Sequence, residues 1–229
     1  MKTYKYQMHM HTKPCSLCAG IDSVAMVHAI KDGGYDGGVI TNHIKHGNTG
    51  IDRNLPWHDF VKAYEDDYLL MKAEADKLDI DIIFGIEQGV CGNGQEILVY
   101  GITPQMLYDH PELDTNSIKV WYETLKPLGA VIIQAHPYRD RGYISDSTPI
   151  PEYIDGIEVI NAGNFVNEDE SAAEYAASKE GIITTSGGDA HEVRRSCSGG
   201  IMTARRITDG EILTEILTHG TYNLLEVKE

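Results

Sequence analysis

Long hydrophobic runs are absent from this chain of 229 residues; the longest apolar stretches, such as "IDIIF" (80–84) and "AVII" (130–133), have the length of a strand. A membrane-spanning helix needs about 20 apolar residues in succession, so none is expected. The N-terminal stretch is polar and lacks the apolar run and small-residue cleavage site of a secretory signal, which points to the cytoplasm. Cysteine is scarce: there are four, at positions 15, 18, 91 and 197. That excludes a disulfide scaffold, and a single CxxC cannot form a zinc ribbon. Positive charge is scarce as well, with 19 Lys and Arg against 35 Asp and Glu and a net charge of −16. Such a field repels polyphosphate, which excludes non-specific nucleic-acid binding. An anionic small molecule could bind only where something positive sits in the site, and divalent metals would supply that. Linkers, repeats and low-complexity tracts are also missing, so residues 1–229 read as one domain with one sizeable core. Oligomeric state leaves no signal.

What is present is alternation of strand and helix. Residues 3–10 alternate weakly, and 23–31 have helical spacing that stops at Gly33-Gly34. "GGVITNH" (37–43) reads as a strand. Residues 57–78 read as an amphipathic helix with Phe60, Tyr64, Leu69, Leu70 and Ala73 near one side. Strands follow at 80–90, 96–102, 130–137, 156–163 and 182–191, with helices at 117–129, 168–181 and 208–220, the last capped by Thr208 or Asp209. This order predicts an α/β fold with a largely parallel sheet, and about seven strand units suit a barrel.

Metal-ligand residue types fall at the strand ends. His9 and His11 close the first strand, His43 the second, Glu87 the third and His136 the fifth; Asp189 and His191 follow the seventh. Glu96 opens the fourth, after a hairpin-like turn at 91–95. In a parallel barrel all strand C-termini share one face, so residues distant in sequence converge there. Residues two apart on a strand point the same way, so both imidazoles of His9-Met10-His11 can reach one ion. Glu87 carries two oxygens and can bridge two ions. Imidazole and carboxylate together suit zinc, iron or manganese. His28, His58, His110 and His219 lie on helices or loops with no converging partner.

The stretches "HMHT" (9–12), "ITNH" (40–43), "GIEQGV" (85–90), "QAHPYR" (134–139) and "SGGDAH" (186–191) resemble, in order, the motifs of the polymerase and histidinol phosphatase (PHP) domain superfamily. "GIEVINAGN" (156–164) resembles the strand and Asn turn before the last motif. The resemblance implies a distorted, TIM-like (β/α)7 barrel, a single metallohydrolase domain and a metal-dependent phosphoesterase. It implies two or three divalent ions (Zn, Mn or Fe). His9, His11, Glu87 and Asp189 would hold the first. Glu87, His136 and a residue near the fourth strand would hold the second. His43, His191 and a ligand from the loop after "HMHT" would hold the third. Three departures stand out. Asn42 replaces the usual Asp of the second motif; Glu96 occupies the place of a metal-binding His; and the first loop lacks its His or Asp and carries Cys15-Ser16-Leu17-Cys18 instead. Either thiolate, Cys15 or Cys18, could fill that gap and would favour a soft ion, or both cysteines could simply pack the loop.

For such a cluster the expected reaction is hydrolysis of a small phosphate ester, with a metal pair lowering the pKa of a bridging water and presenting hydroxide in line with phosphorus. Asp189 or His191 would pass the proton to the leaving alkoxide, and Arg139 would grip the phosphate bidentately. Lys13, Lys45, Arg194 and Arg195 are further loop cations. Loop 140–151 reads as a small lid, which suits a sugar phosphate, histidinol phosphate or mononucleotide. The alternatives are a non-phosphate, amidohydrolase-type metal hydrolase, a non-catalytic metal-binding regulatory module, and a redox protein using the CxxC.

Overall fold

The computed structural model describes residues 2–227. Its first sheet is built around β1 (Tyr4–Met10), which pairs in parallel with β2 (Gly37–Ile40), itself parallel to β3 (Asp81–Phe84). From Tyr6 onward β1 is buried on both faces, which is why its alternation in sequence is weak. The second sheet runs β4 (Ile86–Val90), β5 (Gln95–Tyr100), β6 (Val131–Gln134), β7 (Gly156–Asn161) and β8 (Ile183–Gly187). Two further strands, β9 (Ile201–Thr203) and β10 (Tyr222–Leu224), extend the first sheet antiparallel beyond β1. At three residues each they are too short to carry a legible period. Helices α1 (Ser23–Asp32), α2 (Trp57–Lys77), α3 (Pro104–Asp109), α4 (Ile118–Leu125), α5 (Val166–Ala177) and α6 (Gly210–His219) connect the strands.

The class is mixed α/β, as the alternation predicts, but the strands pair as two five-stranded sheets and not as one seven-stranded ladder. The run 80–90, read as a single strand, is two. A Cβ at Gly85 would lie 2.7 Å from Val39 Cγ1 and 3.1 Å from Val99 O, so only glycine lets the chain pass from the first sheet to the second. The β4–β5 hairpin expected at 91–95 is present, which makes β5 antiparallel to both neighbours. Two isolated parallel bridges tie the sheets together, Met10 with Ala190 and His43 with Glu87. Both lie at the end where the strand-end ligand candidates gather.

Helix ends follow their caps. Asp22 accepts from Ala25 N at the start of α1; Asp209, rather than Thr208, accepts from Ile212 N at the start of α6, which stops at the left-handed Gly220. The buried stripe of α2 is Trp57, Phe60, Val61, Tyr64, Asp67, Met71 and Ala75. Leu69, Leu70 and Ala73, expected on it, are exposed, and a carboxylate stands in the stripe instead. Fully buried Phe60 and Met71 contribute roughly 1.5–3 kcal/mol each. None of the described helices is long and apolar enough to cross a membrane.

Candidate metal centre

The end of β1 delivers both histidines to one spot, with His9 Nε2 and His11 Nε2 3.0 Å apart. Each ring is fixed from behind. His9 Nδ1 faces the buried Glu158 carboxylate of β7 at 3.1 Å, and His11 Nδ1 faces Ser16 Oγ at 3.1 Å. A proton on each Nδ1 leaves both Nε2 lone pairs aimed at the same place. Asp189 Oδ1 lies 3.5 Å from His9 Nε2 and 3.4 Å from His11 Nε2.

Glu87, on β4, stands at the middle. Its Oε1 lies 3.2 Å from both His9 Nε2 and His136 Nε2. Its Oε2 lies 3.2 Å from His11 Nε2 and 3.1 Å from His43 Nδ1. Glu96, at the start of β5, adds Oε1 at 3.4 Å from His43 and Oε2 at 3.4 Å from His136. A further group joins His11 and His43 to Cys18 and His191, with Cys18 Sγ 3.0 Å from His191 Nε2. Three ligand groups therefore adjoin: His9, His11 and Asp189; His43, Glu87 and Glu96; and His11, Cys18, His43 and His191.

These residues fit divalent cations. Two imidazole lone pairs facing each other at hydrogen-bond distance need a positive charge between them. His43 Nδ1 is buried without a hydrogen bond, although two carboxylates border it. The electrostatics agree. Burial alone would lower the His9 pKa, yet Glu158, Glu87 and Asp189 outweigh it and hold the imidazole well above its ordinary value. Burial and Arg139 work against protonation of His136, but Glu87 and Glu96 raise it to about 9. In turn, burial would raise Glu87 and Asp189, and the surrounding imidazoles, with Arg139 beside Asp189, hold both well below the carboxylate range. The cage demands positive charge, and protons meet that demand when nothing else does. His43 and His191 behave differently, and burial with the neighbouring His11 lowers His43 despite the carboxylates beside it. Burial and the neighbouring His11 lower His191 to about 4, so its ring is neutral at physiological pH.

Two of the site residues carry backbone strain. His136 and Asp189 have φ of 29° and 46°, in the left-handed region. Such conformations cost of order 1–3 kcal/mol each and persist where the surroundings over-determine them. Here Glu158 Oε2 accepts from His136 N at 3.0 Å, and Arg139 Nη2 holds Asp189 Oδ2 at 2.9 Å.

Arg139 thus reaches the site, but fastened: it also donates to Asn161 Oδ1 at 2.7 Å and Asn164 Oδ1 at 2.8 Å. It lines a cavity of about 750 Å³ shared with Glu87, His136, Asp189 and His191. Arg141, Tyr143 and Arg195 line the same cavity, whereas Lys45 is turned away to Asp114. Loop 140–151 is irregular and places Tyr143, 71% exposed, at the cavity. His28, His58, His110 and His219 lie outside the cluster, as expected; His28 and His110 pair with Glu74 and Glu112. Glu158, Asn161 and Ser16 were not anticipated. A charged residue inside the apolar strand "GIEVI" was the available signal for Glu158.

The two cysteines of the CxxC part company. Cys18 joins the cluster. Cys15, also a candidate ligand, does not: it is fully buried in the core beside Ile44 and Tyr64. The three-residue offset in a tight loop sends the two side chains opposite ways. Partial burial and the Glu87 and Asp189 carboxylates push the Cys18 thiol up to about 12, which a coordinated cation would reverse. Cys18→Ala is expected to lower zinc uptake by one equivalent, measured by elemental analysis. Cys15→Ala should lower the melting temperature at unchanged metal content. Full zinc stoichiometry in Cys18→Ala would remove the thiol from the ligand set.

No family model and no curated protein sequence matches the chain. Solved structures do match its fold. A two-domain protein from Bacteroides vulgatus containing a predicted PHP-like metal-dependent phosphoesterase superposes with a TM-score of 0.75 at 18% identity, over 99% of this chain. The chain spans 65% of that protein's length. An amidohydrolase from Chromobacterium violaceum, with bound sulfate and no metal, gives 0.61 at 13% identity, over 96% of this chain and 97% of that one. One chain described jointly as YwqE of Bacillus subtilis and CpsB of Streptococcus pneumoniae, metal-dependent tyrosine phosphatases, gives 0.51 at 13% identity, over 98% of this chain and 99% of that one. The mixed α/β fold is that of PHP-domain structures, matched over nearly the whole chain.

Proposed function

We propose that this chain is a metal-dependent phosphoesterase acting on a small phosphate monoester in the cytoplasm. The observation that carries the reading is Glu87, whose two oxygens are each faced by two imidazoles at 3.1–3.2 Å. That is the arrangement of a carboxylate bridging two ions. His9, His11, Glu87 and Asp189 would hold one ion; Glu87, Glu96 and His136 a second; His43, His191 and Cys18 a third. We read the two sheets as halves of a distorted barrel whose seam carries these groups. Zinc, manganese or iron bound there would supply Lewis-acid polarisation of the phosphoryl oxygens and acidify a water.

The chain's own residues do the rest. Glu158 and Ser16 orient the His9 and His11 rings. Arg139 steadies Asp189 and presents the rest of its guanidinium to the cavity, where Arg141 and Arg195 add positive charge. His191 Nδ1 is committed to the Asp189 carbonyl at 2.7 Å, so its Nε2 alone can exchange a proton or hold an ion. Where no ion holds Nε2, it carries the proton to the leaving alkoxide, whereas Asp189, with Oδ2 on Arg139, is kept ionised as a ligand. A cavity of about 750 Å³ suits a small ester.

The test is phosphate release from sugar phosphates, histidinol phosphate and mononucleotides by protein loaded with Mn²⁺, Zn²⁺ or Fe²⁺. Silence across that panel would sink the proposal. Arg139→Ala should raise KM for a true substrate by roughly 10- to 100-fold, the scale of a lost charge-assisted hydrogen bond. An unchanged KM removes Arg139 from the substrate site. The likeness to an amidohydrolase keeps one other reading open, a metal hydrolase of non-phosphate substrates. Turnover of amides or lactones by the same preparations, with phosphate esters inert, would establish it.

A further inference from the structure

The buried stripe of α2 contains a carboxylate where the helix needs only apolar side chains. Asp67 is 5% exposed. Its Oδ1 accepts from Ser23 Oγ at 2.6 Å, and its Oδ2 from Thr12 Oγ1 at 2.8 Å and Asn42 Nδ2 at 3.2 Å; the Cys15 thiol lies near it. All three donors are neutral. A buried carboxylate without a cation is costly to keep, so its retention asks for a reason.

The hydrogen bonds supply one when each proton is followed. The Asn42 amide has its NH₂ toward Asp67 and toward Thr12 Oγ1 at 2.8 Å. Its Oδ1 therefore faces the other way, accepting from Thr12 N at 2.6 Å and Ser16 Oγ at 2.8 Å. A flipped amide would set its oxygen against the Asp67 carboxylate and its NH₂ against the Thr12 N–H. Ser16 has one hydroxyl proton, and Asn42 takes it. The Ser16 oxygen is left to accept, from His43 N at 3.0 Å and from His11 Nδ1 at 3.1 Å. His11 must then carry its proton on Nδ1, which leaves Nε2 bare toward His9, Glu87 and Asp189.

We infer that Asp67 is a positioning residue for the metal centre: acting through Asn42 and Ser16, it fixes the His11 tautomer that presents Nε2 to the cluster. This rests on the proposed function, and it accounts for one departure from the family motifs. The carboxylate missing at position 42 stands one hydrogen bond further out, on α2. Cys15, the half of the CxxC that does not reach the ligands, is buried in the core near that carboxylate.

The test measures Mn²⁺ affinity, with folding checked by thermal melts and the His11 tautomer read by ¹⁵N NMR. Asp67→Asn and Asn42→Asp are each expected to weaken binding by roughly 10- to 100-fold, the scale for outer partners of a metal ligand. The exchanged pair Asn42→Asp with Asp67→Asn keeps one carboxylate and one amide in complementary contact, and keeps an acceptor for Ser16. It should restore the affinity and the Nδ1–H tautomer. Ser16→Ala should weaken binding, and adding Asp67→Asn to it should weaken it no further. Ser23→Ala, which touches Asp67 but not Asn42, should cost stability without affinity. Folded single variants that bind Mn²⁺ as tightly as the unaltered chain would overturn the inference. So would an exchanged pair that folds yet binds no better than the singles. If the unaltered chain binds no Mn²⁺, the failure belongs to the proposed function.

Discussion

Glu87→Gln is expected to cut turnover by roughly 10³-fold or more, the scale of losing one preorganised electrostatic contact to a transition state. The reason lies in what surrounds this residue. Four imidazole nitrogens lie at 3.1–3.2 Å from its two oxygens, and the side chain is 1% exposed. Glutamine would keep the shape but set an NH₂ donor against two of those nitrogens, and would remove the charge that two ion groups share. Metal content should fall in step, because among the described residues no other carboxylate touches both groups. Glu96→Gln should cost less, since Glu96 faces only His43 and His136, at 3.4 Å, and is partly exposed. Steady-state rates on the substrate found by the panel, with elemental analysis of each variant, check both. A Glu87→Gln protein with full metal content and full turnover would end the bridging assignment.

Stripping the metal is expected to lower the melting temperature by about 5–11 °C. An ion at 100 times its dissociation constant adds about 2.7 kcal/mol, and about 2–4 °C follows per kcal/mol in a chain of this size. The gap should also depend on pH. In the stripped protein, His136 has its pKa raised to about 9 from an ordinary 6.5. Its contribution to stability is complete below the ordinary value and is lost as pH rises through about 9. Glu87 and Asp189 are depressed, so their contributions hold above the ordinary carboxylate range and fade only in acid. The stripped protein should therefore weaken from neutral to alkaline pH. Metal must displace the same protons, so loading is stronger there. Calorimetry with and without chelator at about pH 6 and about pH 8.5 should show the wider gap at the higher pH; equal gaps would mean that metal does not compete with imidazole protons.

The positions of His9, His11, His43, Glu87, His136, Asp189 and His191 were legible because strand ends announce themselves. An apolar run stops, and a ligand-type residue follows. Glu96 was legible through the hairpin before it. What the sequence concealed depends on the direction of single side chains. Cys15 and Cys18 are equivalent on paper, and only the fold of their loop sends one to His191 and the other to Asp67. On α2, Leu69, Leu70 and Ala73 are apolar yet fall off the buried stripe, because helical phase, running through Asp67 and Met71, decides burial. Gly85 lies inside the run 80–90 that reads as one strand, and it is the point where the chain changes sheets. The pairing into two sheets follows from that change, and no periodicity could have reported it.

The same change of sheet has a consequence for how the molecule comes apart. His9, His11 and His43 come from the first sheet; Glu87, Glu96 and His136 come from the second, which β8 extends to Asp189 and His191. Between the sheets there are two isolated bridges, both beside these residues. Bound ions would span that junction and act as a clasp, coupling two bodies that share few main-chain hydrogen bonds. Hydrogen exchange should show them opening as one cooperative unit when loaded. Without metal they should open as two, with the amides of Ala190 and Glu87 released before those at the middle of either sheet.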